Sequence, residues 1–263
     1  MTSKIYKELT ILLLVFGAIW SIFSLVKAPK VHLDPTLPIE TEEELGDMLM
    51  EHQLKYSTQV KDSTVVNAIN KISERLLSSL DSTQYYYKFY VIEDPQVNAF
   101  ATLGGHIVIY TGLLNLADSP EEIAAVLAHE IGHVEERHVS KMLVKKLGIG
   151  VITSILTGGD PAIILEVLEM SISNVFSRQH EGEADDFGLE LLEKSNLSPT
   201  SLATIFRKMK DHSEFKYEKE LGFLMTHPET DQRIRKSLRY KTKKDFKPES
   251  LDVDWSKVKE VLR

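Results

Sequence analysis

The string His129-Glu130-Ile131-Gly132-His133 is an H-E-x-x-H motif set inside a helix-forming segment. Ser119 is a good N-cap, Pro120 suits the first helical position and Glu122 completes a capping box. From Ile123 to Ile131 there is no Gly or Pro, and Ala124, Ala125, Val126, Leu127 and Ala128 favour or tolerate helix. At about 100° per residue, His129 and His133 fall about 40° apart, one turn above the other. Two imidazoles on one face can chelate a single ion, and zinc takes nitrogen ligands readily. Glu130 lies about 100° round from His129. It is off the coordination direction yet close enough to reach water at the metal, where a general base stands. The bland alternative is a solvent-facing helix with incidental histidines. The cap and the apolar run argue against it, and a third ligand decides.

Candidates for that ligand lie in Ser177-Arg178-Gln179-His180-Glu181-Gly182-Glu183-Ala184-Asp185. Glu181 and Asp185 are one turn apart and share a helix face. A helix that offers one carboxylate to a metal can offer the next to a ligating imidazole, fixing its tautomer and ring orientation. Two His and one Glu, with water in the fourth position, make a catalytic zinc shell. His138 competes, but on a continuous helix it falls about 180° from His129. A metzincin would also need Gly at position 136 and His at 139, where this chain has Glu136 and Val139. His138 therefore reads as structural or exposed. His180 points about 100° away from Glu181, and Glu183 faces the opposite side of the helix.

The rest of the chain frames this site. Its 263 residues suffice for one sizeable domain. Cysteine is absent, which removes disulfides, thiolate zinc sites and cysteine nucleophiles together. The net charge of −8 argues against nucleic acid as a partner. Residues 1–8 read as a short leader and 9–26 as an uncharged apolar stretch long enough to cross a bilayer. Pro29 after the candidate cut at Ala28 disfavours a cleaved signal peptide. The expectation is a single-pass membrane anchor with the remaining chain on the extracytoplasmic, periplasmic side. Pro29, Pro35 and Pro38 make residues 27–40 an extended linker, leaving 41–263 as the domain. Helices are expected from Thr41 and over about Val60 to Leu80. Strands are expected over Tyr85–Ile92 and, after Gly104-Gly105, over His106, Ile107, Val108, Ile109 and Tyr110. At a sheet edge this second strand would hold an extended peptide substrate by strand addition; in a sheet interior it would touch none. Leu147 to Gly159 is too short to span a membrane and reads as a core helix or flap, and Asp160-Pro161 restarts a helix.

Together, His129-Glu130-Ile131-Gly132-His133 and Glu181-Gly182-Glu183-Ala184-Asp185 resemble the M48 family of zinc metallopeptidases, within it the OMA1/BepA-like branch. Asn98-Ala99-Phe100, Gly104-Gly105, Gly112-Leu113, Thr226-His227-Pro228 and Arg233-Ile234 add to the likeness, which covers about residues 41 to 241. The resemblance implies a mostly helical α+β fold of zincin type with a small β-sheet. It implies one Zn2+ per chain on His129, His133 and Glu181, with Glu130 as base and Asp185 orienting a ligating imidazole. It also brings His227 and Arg233 toward the substrate cleft, where either could stabilise an oxyanion. A capping His and a surface Arg are the plain alternatives. The expected function is zinc-dependent hydrolysis of peptide bonds in unfolded or misassembled membrane and envelope proteins. A zinc-bound chaperone or scaffold with little turnover is the rival; its hallmark would be loss of Glu130, which is present.

Overall fold

The computed structural model describes residues 36–158, 163, 166–167, 169–170, 175–215, 222–228 and 230–263. The apolar stretch 9–26, most of the linker and the Asp160-Pro161 helix start lie outside the described residues. Among those described, no helix is long and apolar enough to cross a membrane. The longest helices have 17 residues and carry charges throughout their length. The expected single-pass membrane placement is corrected accordingly.

Two amphipathic helices open the described chain, α1 (Ile39–Lys55) and α2 (Ser63–Leu77). Asp62 caps α2, its side chain accepting the Thr64 N–H at 2.8 Å, so the helix starts three residues inside the expected run. A three-stranded sheet follows: β1 (Lys88–Ile92), β2 (Ala99–Ala101) and β3 (His106–Tyr110), in the order β1-β3-β2. β1 runs parallel to β3 with Lys88 opposite His106, and β2 runs antiparallel to it with Phe100 opposite Val108. β3 is thus the central strand, and all five of its residues are buried. The reading of His106, Ile107, Val108, Ile109 and Tyr110 as a substrate-holding edge is corrected: their backbone groups are committed to strands on both sides. Ala99–Ala101, the edge beside β3, is short and has no β-branched residue, so little in the sequence marks it as a strand.

After the short helix α3 (Thr111–Leu116) comes the motif helix α4 (Pro120–Glu135). The expected capping box does not form. The Ser119 side chain makes no cap bond, while Glu122 accepts the Asp118 N–H at 3.0 Å and pairs with Lys208 at 2.6 Å. α4 is buried on every side, with Ile123, Ala124, Val126, Leu127, Ala128 and Ile131 fully inaccessible. A helix enclosed this way cannot be solvent-facing, which disposes of the bland reading of its histidines.

Arg137 adopts left-handed backbone geometry (φ 57°, ψ 34°), and α5 (His138–Leu147) leaves in a new direction. The Arg137 guanidinium ties that bend to the buried Glu42 of α1 and to the Leu37 carbonyl. α6 (Ile149–Leu156) follows across Gly148, consistent with the helical option for this apolar run. Then come α7 (Arg178–Lys194), α8 (Thr200–Phe215), α9 (Gly222–Thr226), α10 (Thr230–Arg239) and α11 (Trp255–Val261). α7 packs along α4 at very short range. A Cβ on Gly132 would stand 2.9 Å from the Ala184 carbonyl oxygen, and one on Gly188 would stand 3.1 Å from the His129 nitrogen.

Candidate metal centre

The close α4–α7 contact brings the two halves of the sequence signal together. Ser177 caps α7, accepting the His180 N–H at 3.2 Å, which puts Glu181 in the first turn. Glu181 then faces both motif histidines. Its Oε1 is 3.5 Å from His133 Nε2 and its Oε2 is 3.6 Å from His129 Nε2. The two Nε2 atoms are 3.1 Å apart. His227, just beyond α9, adds a third imidazole, with Nδ1 2.8 Å from Glu181 Oε1 and 3.4 Å from His129 Nε2. Ligand atoms of His129, His133, Glu181 and His227 all lie within 4.8 Å of one another. Ligands bound tetrahedrally to zinc at ordinary bond lengths stand about 3.3 Å apart. These spacings suit one zinc ion, provided Arg233 Nη2, now 2.9 Å from His129 Nε2, turns aside.

The surroundings are those of a metal site. Asp185, one turn along from Glu181, sets Oδ1 3.1 Å from His129 Nδ1. Arg233 bridges the two carboxylates, with Nη2 2.8 Å from Asp185 Oδ1 and Nη1 2.8 Å from Glu181 Oε2, and its guanidinium lies over the Phe206 ring. It is therefore buried rather than at the surface. Glu130 accepts the Ala101 N–H at 2.8 Å through Oε2, while its buried Oε1 has no hydrogen-bond partner. Burial pushes the Glu130 carboxyl up to about 7, a range useful for moving protons near neutrality. Burial and the Arg233 charge lower His129 to about 4. Burial works against ionisation of Glu181, but the charges of His227 and Arg233 overcome it and hold the group at about 2.

The family model for peptidase family M48 matches residues 64–241. The chain belongs to peptidase family M48. This M48 chain is 30% identical over 212 residues to the Beta-barrel assembly-enhancing protease of Yersinia pestis, covering 76% of this chain and 43% of that one. It is 29% identical over 189 residues to the mitochondrial metalloendopeptidase OMA1 of Schizosaccharomyces pombe, covering 70% and 55%. It is 31% identical over 156 residues to the metalloprotease LoiP of Escherichia coli K12, covering 56% and 60%. The chain spans less than half the length of the first of these relatives.

The M48 site also gathers residues that held no role in the sequence reading. Ala101 of β2 orients Glu130, and Phe176 lies on His133 with ring centroids 4.2 Å apart. His138 is fully buried, with Nδ1 3.0 Å from His133 Nδ1, and Glu183 reaches His138 Nε2 at 3.0 Å. The placement of His138 off the ligand face assumed one unbroken helix; the left-handed turn at Arg137 swings it back beside His133. No residue type at 137 announces that turn, since Arg adopts it only under tertiary constraint.

Proposed function

We propose that this chain is a zinc-dependent endopeptidase acting on unfolded or misassembled proteins of the cell envelope. The observation that carries the reading is one buried cluster: two imidazoles and the Glu181 carboxylate converge beside a carboxylate oxygen of Glu130 that has no hydrogen-bond partner. The names of the relatives, a β-barrel assembly-enhancing protease and a metalloendopeptidase, support the reaction and the substrate class.

His129, His133 and Glu181 would hold the ion. When bound, zinc supplies Lewis acidity toward a peptide carbonyl and toward water. Glu130 takes the proton of the attacking water at Oε1 and delivers it to the leaving amine. Its other oxygen is anchored on the Ala101 N–H, so the carboxylate is aimed before substrate arrives. Asp185 accepts the His129 Nδ1 proton, which leaves the Nε2 lone pair for the ion once Arg233 Nη2, 2.9 Å away, turns aside. Arg233 holds Asp185 and Glu181 in place, its guanidinium being spent on both. His227 is the donor suited to an oxyanion once it leaves Glu181.

The peptide would lie along β2 rather than β3. Tyr110 N–H donates to the Asn98 carbonyl and Thr102 N–H to the His106 carbonyl, so Ala99 and the Ala101 carbonyl face away from β3, while the Ala101 N–H is held by Glu130. With His129, Glu130, His133, Glu181 and His227 all buried, this is a closed resting form, and the His227 segment must withdraw to admit substrate.

The test is Glu130→Gln in the full chain. It should keep one zinc per chain while cleavage of an unfolded reporter such as casein falls at least about 100-fold. The inactive variant should then retain unfolded β-barrel proteins on incubation with an envelope extract. Wild-type cleavage by Glu130→Gln would overturn the assignment.

A further inference from the structure

His133 has two ring nitrogens with different surroundings. Nε2 faces the cluster, 3.1 Å from His129 Nε2. Nδ1 faces His138 Nδ1 at 3.0 Å, and His138 Nε2 in turn faces Glu183 Oε2 at 3.0 Å. An imidazole that gives the Nε2 lone pair to a cation carries its single proton on Nδ1. That proton needs an acceptor, and the atom at hydrogen-bond distance is His138 Nδ1. His138 must then carry its own proton on Nε2, where the Glu183 carboxylate accepts it. Each proton position follows from the one before it. The opposite order, with His138 donating from Nδ1, would move the His133 proton to Nε2 and remove that residue as a ligand.

We propose that Glu183 and His138 form a two-step relay that locks His133 in the tautomer a metal requires. Both are positioning residues and neither is a ligand. The proposal rests on the reading of His129, His133 and Glu181 as the zinc site. Three further features support it. The left-handed Arg137 turn, pinned on Glu42, exists where His138 has to be swung back. Gln179 Nε2 donates to Glu183 Oε1 at 2.9 Å, which leaves Oε2 for His138. The His180 ring stacks on His138 with centroids 4.4 Å apart and planes 17° from parallel, fixing its tilt. The contrast with His129 is instructive: its Nδ1 meets a carboxylate, Asp185, directly, whereas His133 reaches its carboxylate through a second imidazole.

His138, His180 and Glu183 also lie close enough to suggest a second metal site. Their geometry argues otherwise. Ring lone pairs lie in the ring planes, so two nearly parallel stacked imidazoles cannot both aim at one ion, and His138 Nδ1 is already engaged with His133.

The test uses the zinc-loaded full chain with His138→Phe, Glu183→Leu, Glu183→Gln and His133→Ala. Zinc affinity is read by competition with a chromophoric chelator, and the visible spectrum of the cobalt(II)-substituted protein reports the ligand field. His138→Phe and Glu183→Leu should each weaken zinc binding about 10- to 100-fold and alter the cobalt spectrum. Glu183→Gln keeps an oxygen acceptor and should restore affinity to within about 3-fold of wild type. The double variant His138→Phe/Glu183→Leu should bind no more weakly than His138→Phe alone, because one relay is broken only once. If His138→Phe fails to fold, the half-exposed Glu183 still gives the Leu-against-Gln comparison. Wild-type affinity in Glu183→Leu, or equal losses in Glu183→Leu and Glu183→Gln, would overturn the relay. So would two zinc ions per wild-type chain with one lost in His138→Phe, which would instead mark a second metal site. Retention of zinc by His133→Ala would sink the underlying zinc-site reading; loss there with none in the relay variants would sink the relay alone.

Discussion

Arg137 shows how much rests on a single backbone angle. A non-glycine residue in left-handed geometry is strained by about 1–2 kcal/mol. Gly at this position would relieve that strain, so a local argument predicts that Arg137→Gly stabilises. The ion pair argues the reverse. Arg137 is the cation against Glu42, which is buried and whose other oxygen accepts the Tyr85 hydroxyl at 2.6 Å. Removing the guanidinium strands a buried carboxylate, at a cost of about 3–5 kcal/mol, trimmed because Arg137 is partly exposed. The larger effect should win: Arg137→Gly should lose about 2 kcal/mol net in urea unfolding. Adding Glu42→Gln should recover part of the loss, since the stranded charge is then gone. A single variant as stable as wild type would show that the pair contributes nothing.

At the scale of elements, the site is made by two helices that approach without side chains between them. Gly132 on α4 meets Ala184 on α7, and Gly188 on α7 meets the backbone of α4 at His129. Gly132→Ala sets two effects against each other. Intrinsic helix propensity favours the alanine by up to about 1 kcal/mol. The new Cβ, however, stands 2.9 Å from a backbone oxygen that cannot rotate away, and overpacking of this kind costs about 1–3 kcal/mol. The helices should separate, and Glu181 should move with α7. Gly132→Ala should therefore both melt earlier and bind zinc more weakly than wild type. A variant that melts later with unchanged zinc affinity would mean the helices have slack. The same elements show what a linear reading can and cannot reach. α4 was legible because a Pro at its first position, a run without breakers and a period of one turn all agree. The shared face of Glu181 and Asp185 was legible for the same reason of spacing, and both carboxylates lie against His129. β2 was not, because three residues of Ala and Phe carry little strand signal, so the choice between edge and interior for β3 stayed open until the strand order settled it. His138 was not, because a helix break at an Arg leaves no mark in the residue types.

On the scale of the whole domain, the cluster is where distant parts of the chain meet inside the core. α4, α7 and the His227 segment supply it, while Trp255 of α11 closes the far end of the same core by donating Nε1–H to the Ala117 carbonyl at 3.0 Å. Among the described residues of the site, the carboxylates of Glu130, Glu181 and Asp185 face one guanidinium, that of Arg233. With all three ionised and the imidazoles neutral, the site carries an excess of two negative charges, and a divalent cation balances it. Buried charge left unbalanced is costly, so the ion should act as a staple between elements as well as a reagent. Binding to the folded state alone adds about 4 kcal/mol when free zinc stands 1,000-fold above its dissociation constant. For a domain of this size each kcal/mol moves the melting temperature by about 2–4 °C. Chelation should thus lower the melting temperature by about 8–16 °C, reversed on returning zinc but not magnesium. Magnesium prefers oxygen ligands in octahedral array, which two imidazoles and one carboxylate do not supply. His133→Ala should already melt low and respond to neither treatment. A wild-type melt indifferent to chelator, measured after metal analysis has confirmed that the zinc is gone, would mean that packing of α4 against α7 alone holds the centre together.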